Sequence, residues 1–207
     1  TSASPPRASS RRCAASSVRP VLRAIRLRPA APGDAAGIAR VRIDTWRATY
    51  RGIIPDAYLA AMRVEDSEAL WQRVLTAAPN RTSTVVAADG AGIVGFASAL
   101  MLREPRFGLD AELSALYLQA DCRRTGIGRQ LVGSVVLAQR SHGATGFLTW
   151  VIAQNRGART FYEKIGAELL VEQPFEWDGV DLVEVGYGWR DPDALLAACA
   201  AVKSTTQ

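Results

Sequence analysis

Alternation with a period of two and apolar stripes with a period near 3.6 divide this chain into strands and helices. Ile25-Arg26-Leu27-Arg28-Pro29 alternates as a first strand. A helix follows with Asp34 as its N-cap, running to about Tyr50 and turning Ile38, Val41, Thr45 and Ala48 or Thr49 inward. Residues 51–56 read as a turn, and Pro55 suits the first turn of a short helix from Asp56 to Met62. A third helix runs from Glu65 to Ala78, with Leu70, Val74 and Leu75 inward and Trp71 beside them. Its early acids, Glu65, Asp66 and Glu68, complement the helix dipole and are not read as a metal cluster.

The second half is richer in strands. Thr82–Ala88 and Gly92–Leu102 form a hairpin around Asp89-Gly90, and a loop through Pro105, Gly108 and Asp110 leads on. Residues 111–131 change character twice. Leu113, Ala115 and Tyr117 alternate with Glu112, Ser114, Leu116 and Leu118 as a half-buried strand. The strand breaks at Ala120-Asp121-Cys122 into a basic turn, Arg123 to Gly128, and a helix begins with Leu131, Val132, Val135 and Val136 in one stripe. Gly146–Ile152 is an apolar strand, 155–165 a helix, and Ala167–Val171 and Leu182–Trp189 are strands. The pattern has no repeats. It predicts one mixed α/β domain over residues 23–190, with a tail at 1–22 expected to be disordered and a tail at 191–207 that is alanine-rich and helix-competent.

Charge changes the picture once it is located. The chain carries +5 over 207 residues, but seven arginines and no acid fall in residues 1–33, leaving 18 basic against 20 acidic residues in the remainder. A nearly neutral domain argues against nucleic-acid binding by the folded part. No apolar run reaches the roughly 18 residues of a membrane span, and Arg11-Arg12 precedes no apolar signal segment. Cys13, Cys122 and Cys199 are widely spaced and form no metal or disulfide pattern, which fits a cytoplasmic protein. His142 is the sole histidine and falls where the helix after Gly128 ends.

The turn at 123–128 has a chemistry of its own. The first amides of a helix lack internal partners and carry partial positive charge, so they attract an anion. Gly126 and Gly128 remove Cβ atoms from its path, and Arg123, Arg124 and Arg129 add full charges at the rim. No Gly-Lys-Ser/Thr follows, as a Walker A loop requires, and the third glycine of a dinucleotide fingerprint is missing.

Arg123-x-x-Gly126-x-Gly128 resembles the acyl-CoA pyrophosphate loop of the GNAT superfamily of N-acetyltransferases. A second segment at the expected distance, Asn155 through Ala158, Phe161-Tyr162 and Gly166, resembles that superfamily's later signature. Trp46-x-x-x-Tyr50-Arg51-Gly52-Ile53-Ile54-Pro55 is similar to the first-helix segment of bacterial members. The resemblance implies a mixed, mostly antiparallel sheet of six to seven strands, two of them parallel and splayed, flanked by helices. It implies acetyl-CoA as cosubstrate with no metal. The pantetheine would meet backbone at Leu116, Tyr117 and Leu118, and the pyrophosphate the loop Arg123, Arg124, Thr125, Gly126, Ile127, Gly128 and Arg129. Asn155, Ala158 and Phe161 would lie on the CoA side. The sequence departs from the pattern twice: Arg124 stands where glycine is frequent, and Ala120 where proline is usual.

Acetyl transfer needs a neutral amine, yet only about one alkylamine in 10³ is unprotonated at pH 7. Glu112 is the expected base, directly or through water, and Tyr162 the expected acid for the departing thiolate. Trp46, Tyr50 and Trp150, with Phe96 and Trp177, would wall an acceptor pocket. The resulting expectation is an N-acetyltransferase acting on a small-molecule amine. The alternatives are an enzyme for protein N-termini or lysines and a non-catalytic acyl-CoA sensor. The resemblance also admits a homodimer.

Overall fold

A computed structural model describes residues 24–77, 81–177 and 179–201; the segment 1–22, expected to be disordered, lies outside the described residues. The strands are β1 (Arg26–Pro29), β2 (Thr82–Asp89), β3 (Gly92–Arg106), β4 (Leu109–Leu118), β5 (Phe147–Ile152), β6 (Glu168–Trp177) and β7 (Val180–Trp189). They form one sheet in the order β1-β2-β3-β4-β5-β7-β6, in which only β4 and β5 are parallel. On one face pack α1 (Ala35–Thr49), α2 (Asp56–Ala61) and α3 (Val64–Thr76). On the other lie α4 (Ile127–Ser141), α5 (Arg156–Lys164) and α6 (Pro192–Ala200). Among the described residues no helix is long and apolar enough to cross a membrane.

The larger core lies on the α4 face. Leu131, Val132, Val135 and Val136 are all fully buried there, each contributing about 1.5–3 kcal/mol by leaving water. The alanine-rich tail does form a helix, α6, stapled to α4 at both ends: Arg140 pairs with Asp193, and Arg129 donates to the carbonyls of Ala198 and Ala201, each at 3.1 Å.

Several expectations change at the level of packing. Asp34 stands at the N-cap position of α1 as expected, but its carboxylate makes no capping bond there; it accepts from Arg28 at 2.6 and 2.8 Å and from the Ala31 amide. In α3 it is Trp71, not Leu70, that is buried; Leu70 is left 41% exposed. The α1 stripe also takes in Ile43 and Trp46, because this helix is sandwiched between α3 and the sheet. The segment 105–110 is not an open loop but a two-residue hairpin, with Phe107 at φ 57 and Gly108 at φ 75 joining paired Arg106 and Leu109. The last two strands are longer than the sequence pattern predicts and pair from Glu168–Gly188 to Trp177–Val180.

Candidate active site

The two parallel strands separate, and the gap between them organises the site. Pairing of β4 with β5 is confined to Ala111–Phe147 and Glu112–Leu148. The closed end is pinned by Asp110, whose carboxylate accepts from the Thr145 hydroxyl at 2.7 Å and from the amides of Thr145 and Gly146. Burial raises the pKa of this carboxyl, but those hydrogen bonds outweigh it and hold the value below the ordinary range.

Above the pinned end, β4 is bulged. Its register against β3 shifts between Ser98 and Ala99, so Ser114 is an extra residue. The consequence can be followed bond by bond. Below the bulge the odd residues face β5: the Ala111 amide donates to Gly146 O, and Leu113 O accepts from Thr149 Oγ1 at 2.8 Å. Above it the Gln119 amide donates to Val94 O on β3 at 2.9 Å. Alternation therefore turns the backbone groups of Leu116 and Leu118 toward the gap. The side chains flip with them, so the strict alternation expected here fails. Leu113, Leu116 and Leu118 pack on the α4 side, while Ala115 and Tyr117 pack on the α1 side.

The gap leads to the loop before α4. Gly126 is the N-cap of that helix with φ 92, and its side-chain position is open. Arg124 has φ 63, a left-handed conformation that favours glycine, which explains why glycine suits this position. Thr125 closes the turn through Cys122 O at 2.6 Å. Phe161 of α5 covers the helix start, 3.6 Å from where a Cβ on Gly128 would stand. The arginines divide. Arg123 folds back onto Leu118 O at 3.1 Å, and the Arg129 guanidinium is held by α6, contrary to the rim position expected for it. Arg124 alone of the three makes no hydrogen bond or ion pair among the described residues. The groups of this turn left without partners among the described residues are thus the amides at 126–129 and the Arg124 guanidinium.

At the other edge, Asn155 caps α5, accepting from the Ala158 amide at 3.2 Å and donating to the Tyr50 hydroxyl at 3.4 Å. Tyr162 projects from α5 into the core beneath the gap, where it is 6% exposed with its hydroxyl near Thr149. Burial pushes its pKa well above the ordinary tyrosine value. Tyr50 is likewise pushed up, to about 12, by burial and by nearby Tyr117. Trp46 Nε1 donates to the Tyr117 hydroxyl at 2.9 Å, so the aromatic hydroxyls form one group beside the gap.

On the α1 side a cleft of about 350 Å³ opens against the same strands. Trp46, Tyr50 and Trp150, expected as acceptor residues, all line it, as do Tyr117 and Trp177. Phe96 does not; it is fully buried against Trp71 and Tyr117. Glu112 lies near the pinned end, its pKa raised by burial and by Glu184, against the pull of Arg106.

The geometry has the outline of an acyl-transfer fold, and the comparisons name it. Residues 38–167 match the model of the acetyltransferase (GNAT) family. The chain belongs to the GNAT acetyltransferase family. It is 37% identical over 172 residues to the uncharacterized N-acetyltransferase YuaI of Bacillus subtilis, covering 83% of this chain and 96% of that one. Over 177 residues it is 30% identical to the probable N-acetyltransferase Rv2775 of Mycobacterium tuberculosis, covering 79% of this chain and 92% of the relative. The fold also matches the PaiA N-acetyltransferase of Thermoplasma acidophilum in complex with coenzyme A, with TM-score 0.60 and 20% identity, over 78% of this chain and 97% of that one.

Two charged residues of this GNAT cleft escaped the sequence pattern. Glu184 lines it from β7, held by Gln173 Nε2 at 2.7 Å, and Arg42 lines it from α1, its guanidinium 5.1 Å from the Trp46 ring centre. The one available signal was weak. Arg42 is four residues before Trp46 on a helix, a spacing that places them on one face.

Proposed function

We propose that the protein transfers the acetyl group of acetyl-CoA to the primary amine of a small molecule, by direct attack in a ternary complex. One observation carries this reading: the open backbone of β4 and the aromatic cleft meet at the same gap between β4 and β5. A thioester arm seated along Leu116–Leu118, with its pyrophosphate on the amides at 126–129, would present its carbonyl to the cleft. The Leu116 or Leu118 amide would then stabilise charge developing on that carbonyl oxygen.

In this scheme Glu112 takes the proton from the incoming amine, directly or through water. Its burial raises its basicity toward the working pH. Tyr162, which is protonated at neutral pH, gives its proton to the departing thiolate. Among the described residues direct attack is favoured over an acetyl-cysteine intermediate, because Cys122 and Cys199 are both buried and burial pushes the Cys199 thiol up to about 11.

Initial rates of thiol release, measured while acetyl-CoA and an accepted amine are both varied, test the scheme. Intersecting double-reciprocal lines are expected. Parallel lines, with an acetylated protein seen by mass spectrometry, would overturn direct attack.

A further inference from the structure

The cleft that receives the amine is asymmetric in charge, and this bears on what the amine is attached to. Its walls are mainly aromatic: Trp46, Tyr117, Trp150, Phe175 and Trp177. Into this apolar surround project one cation and one carboxylate, Arg42 from α1 and Glu184 from β7. The two are not ion-paired to each other, and Arg42 has no salt bridge or hydrogen bond among the described residues; its guanidinium rests over the Trp46 ring. Glu184 accepts one hydrogen bond, from Gln173. Two indole N–H groups in the same walls, of Trp71 and Trp177, find no acceptor. A half-buried charge without a counter-ion is poorly solvated.

We infer that the acceptor is a zwitterionic amine with an apolar body: a free α-amino acid with an aromatic or large aliphatic side chain. This rests on the acetyltransferase reading above and narrows its substrate class. The carboxylate would pair with the Arg42 guanidinium, whose fork suits that geometry. The ammonium would enter against Glu184, and the side chain would lie between Trp150 and Trp177. A polyamine or aminoglycoside fits poorly, since it would bring several cations to one carboxylate and set another against Arg42. A peptide N-terminus would leave Arg42 facing a neutral amide.

The transfer itself balances without a further reactant. The ammonium loses one proton to the medium, and the nitrogen lone pair forms a bond to the acetyl carbonyl carbon. The carbon–sulfur bond breaks with its electron pair on sulfur, which takes a proton from Tyr162. The second nitrogen proton leaves through Glu112, and one returns to Tyr162 from the medium. Because acetylation removes the positive charge, the product is an anion that Glu184 no longer attracts, which favours release.

Thiol release from acetyl-CoA by the full-length protein tests the inference, using L-phenylalanine, L-tryptophan and L-leucine beside their amides, their decarboxylated amines and a short peptide. The free acids are expected to exceed their amides by about 10- to 100-fold in kcat/KM, the scale of one charge-assisted bidentate pair. Arg42→Gln, checked for retained acetyl-CoA binding by calorimetry, should collapse that ratio toward one. Equal or better turnover of the amides, amines or peptide overturns the zwitterion inference and leaves the acetyltransferase standing. Retention of the ratio in Arg42→Gln overturns the assignment to Arg42. Acetyl-CoA binding with no turnover of any of these amines overturns both readings.

Discussion

On the side of the β4–β5 gap that faces α4, the available groups belong to the backbone. They are the amides at the start of α4 and those of Leu116 and Leu118, freed by the bulge at Ser114. On the side that faces α1, the groups are side chains drawn from six elements, including Arg42 of α1, Trp71 of α3 and Glu184 of β7. A backbone site depends on local conformation, so glycine at the right place is enough to mark it. A side-chain site depends on which distant segments fold together, and the same cleft position can be filled from many sequences. The first kind suits a donor arm shared across a family, and the second an acceptor that varies.

That contrast can be broken by experiment. The largest effect is expected from Gly126→Asp, which puts a carboxylate and a Cβ at φ 92 on the proposed phosphate site. Acetyl-CoA affinity, read by calorimetry, should fall by about 10²- to 10³-fold. Unchanged affinity would remove the loop from the donor site.

Next in size is Glu112→Gln, expected to lower kcat/KM about 10²-fold near neutral pH. Since burial raises the Glu112 pKa, the wild-type rate should fall on the acid side through a value above the ordinary carboxylate of about 4.3. The variant should lose that limb; the same pH profile in both proteins would exclude Glu112 as the base. Tyr162→Phe should reduce kcat by about 10-fold or more while leaving acetyl-CoA affinity within about twofold. Equal turnover would assign Tyr162 to the core alone, where it packs edge-on against Trp189.

The smallest effect tests the closed end of the gap. Asp110→Asn keeps one acceptor oxygen of two and should cost about 1 kcal/mol, or 2–4 °C in Tm. The folded pKa of Asp110 is depressed, so its contribution is present above the unfolded value of 3.8 and is lost as pH falls through the folded one. Wild type and variant should therefore converge in thermal stability at low pH. A constant difference down to acid would mean that the carboxylate charge is not what pins β4 to β5.

How much of this was legible beforehand follows the same division. The strand, basic turn and helix of 111–131 can be read from residue types, since alternation, glycines and an apolar stripe are local signals. So can the Asn155 cap and the core face of α5. The bulge at Ser114 has no such signal, because nothing in Leu113-Ser114-Ala115 distinguishes an extra residue from plain alternation. Yet it decides which amides face the gap. Trp71 and Leu70 are adjacent and both apolar, and only the surface of β3 opposite selects the tryptophan, which meets Phe96. Arg129 reads as a phosphate ligand until α6 folds over it and takes its guanidinium.

The sequence by itself therefore determined the family, the order of elements and the position of the glycine-containing turn before α4. Those properties rest on short-range periodicity and on backbone freedom at a few glycines. Tertiary structure alone decided the phase of β4, which of the three arginines are tied down and the placing of Arg42 and Glu184 on one cleft. Each of these depends on contacts between residues far apart in the chain, whose energies appear only when the sheet brings them together.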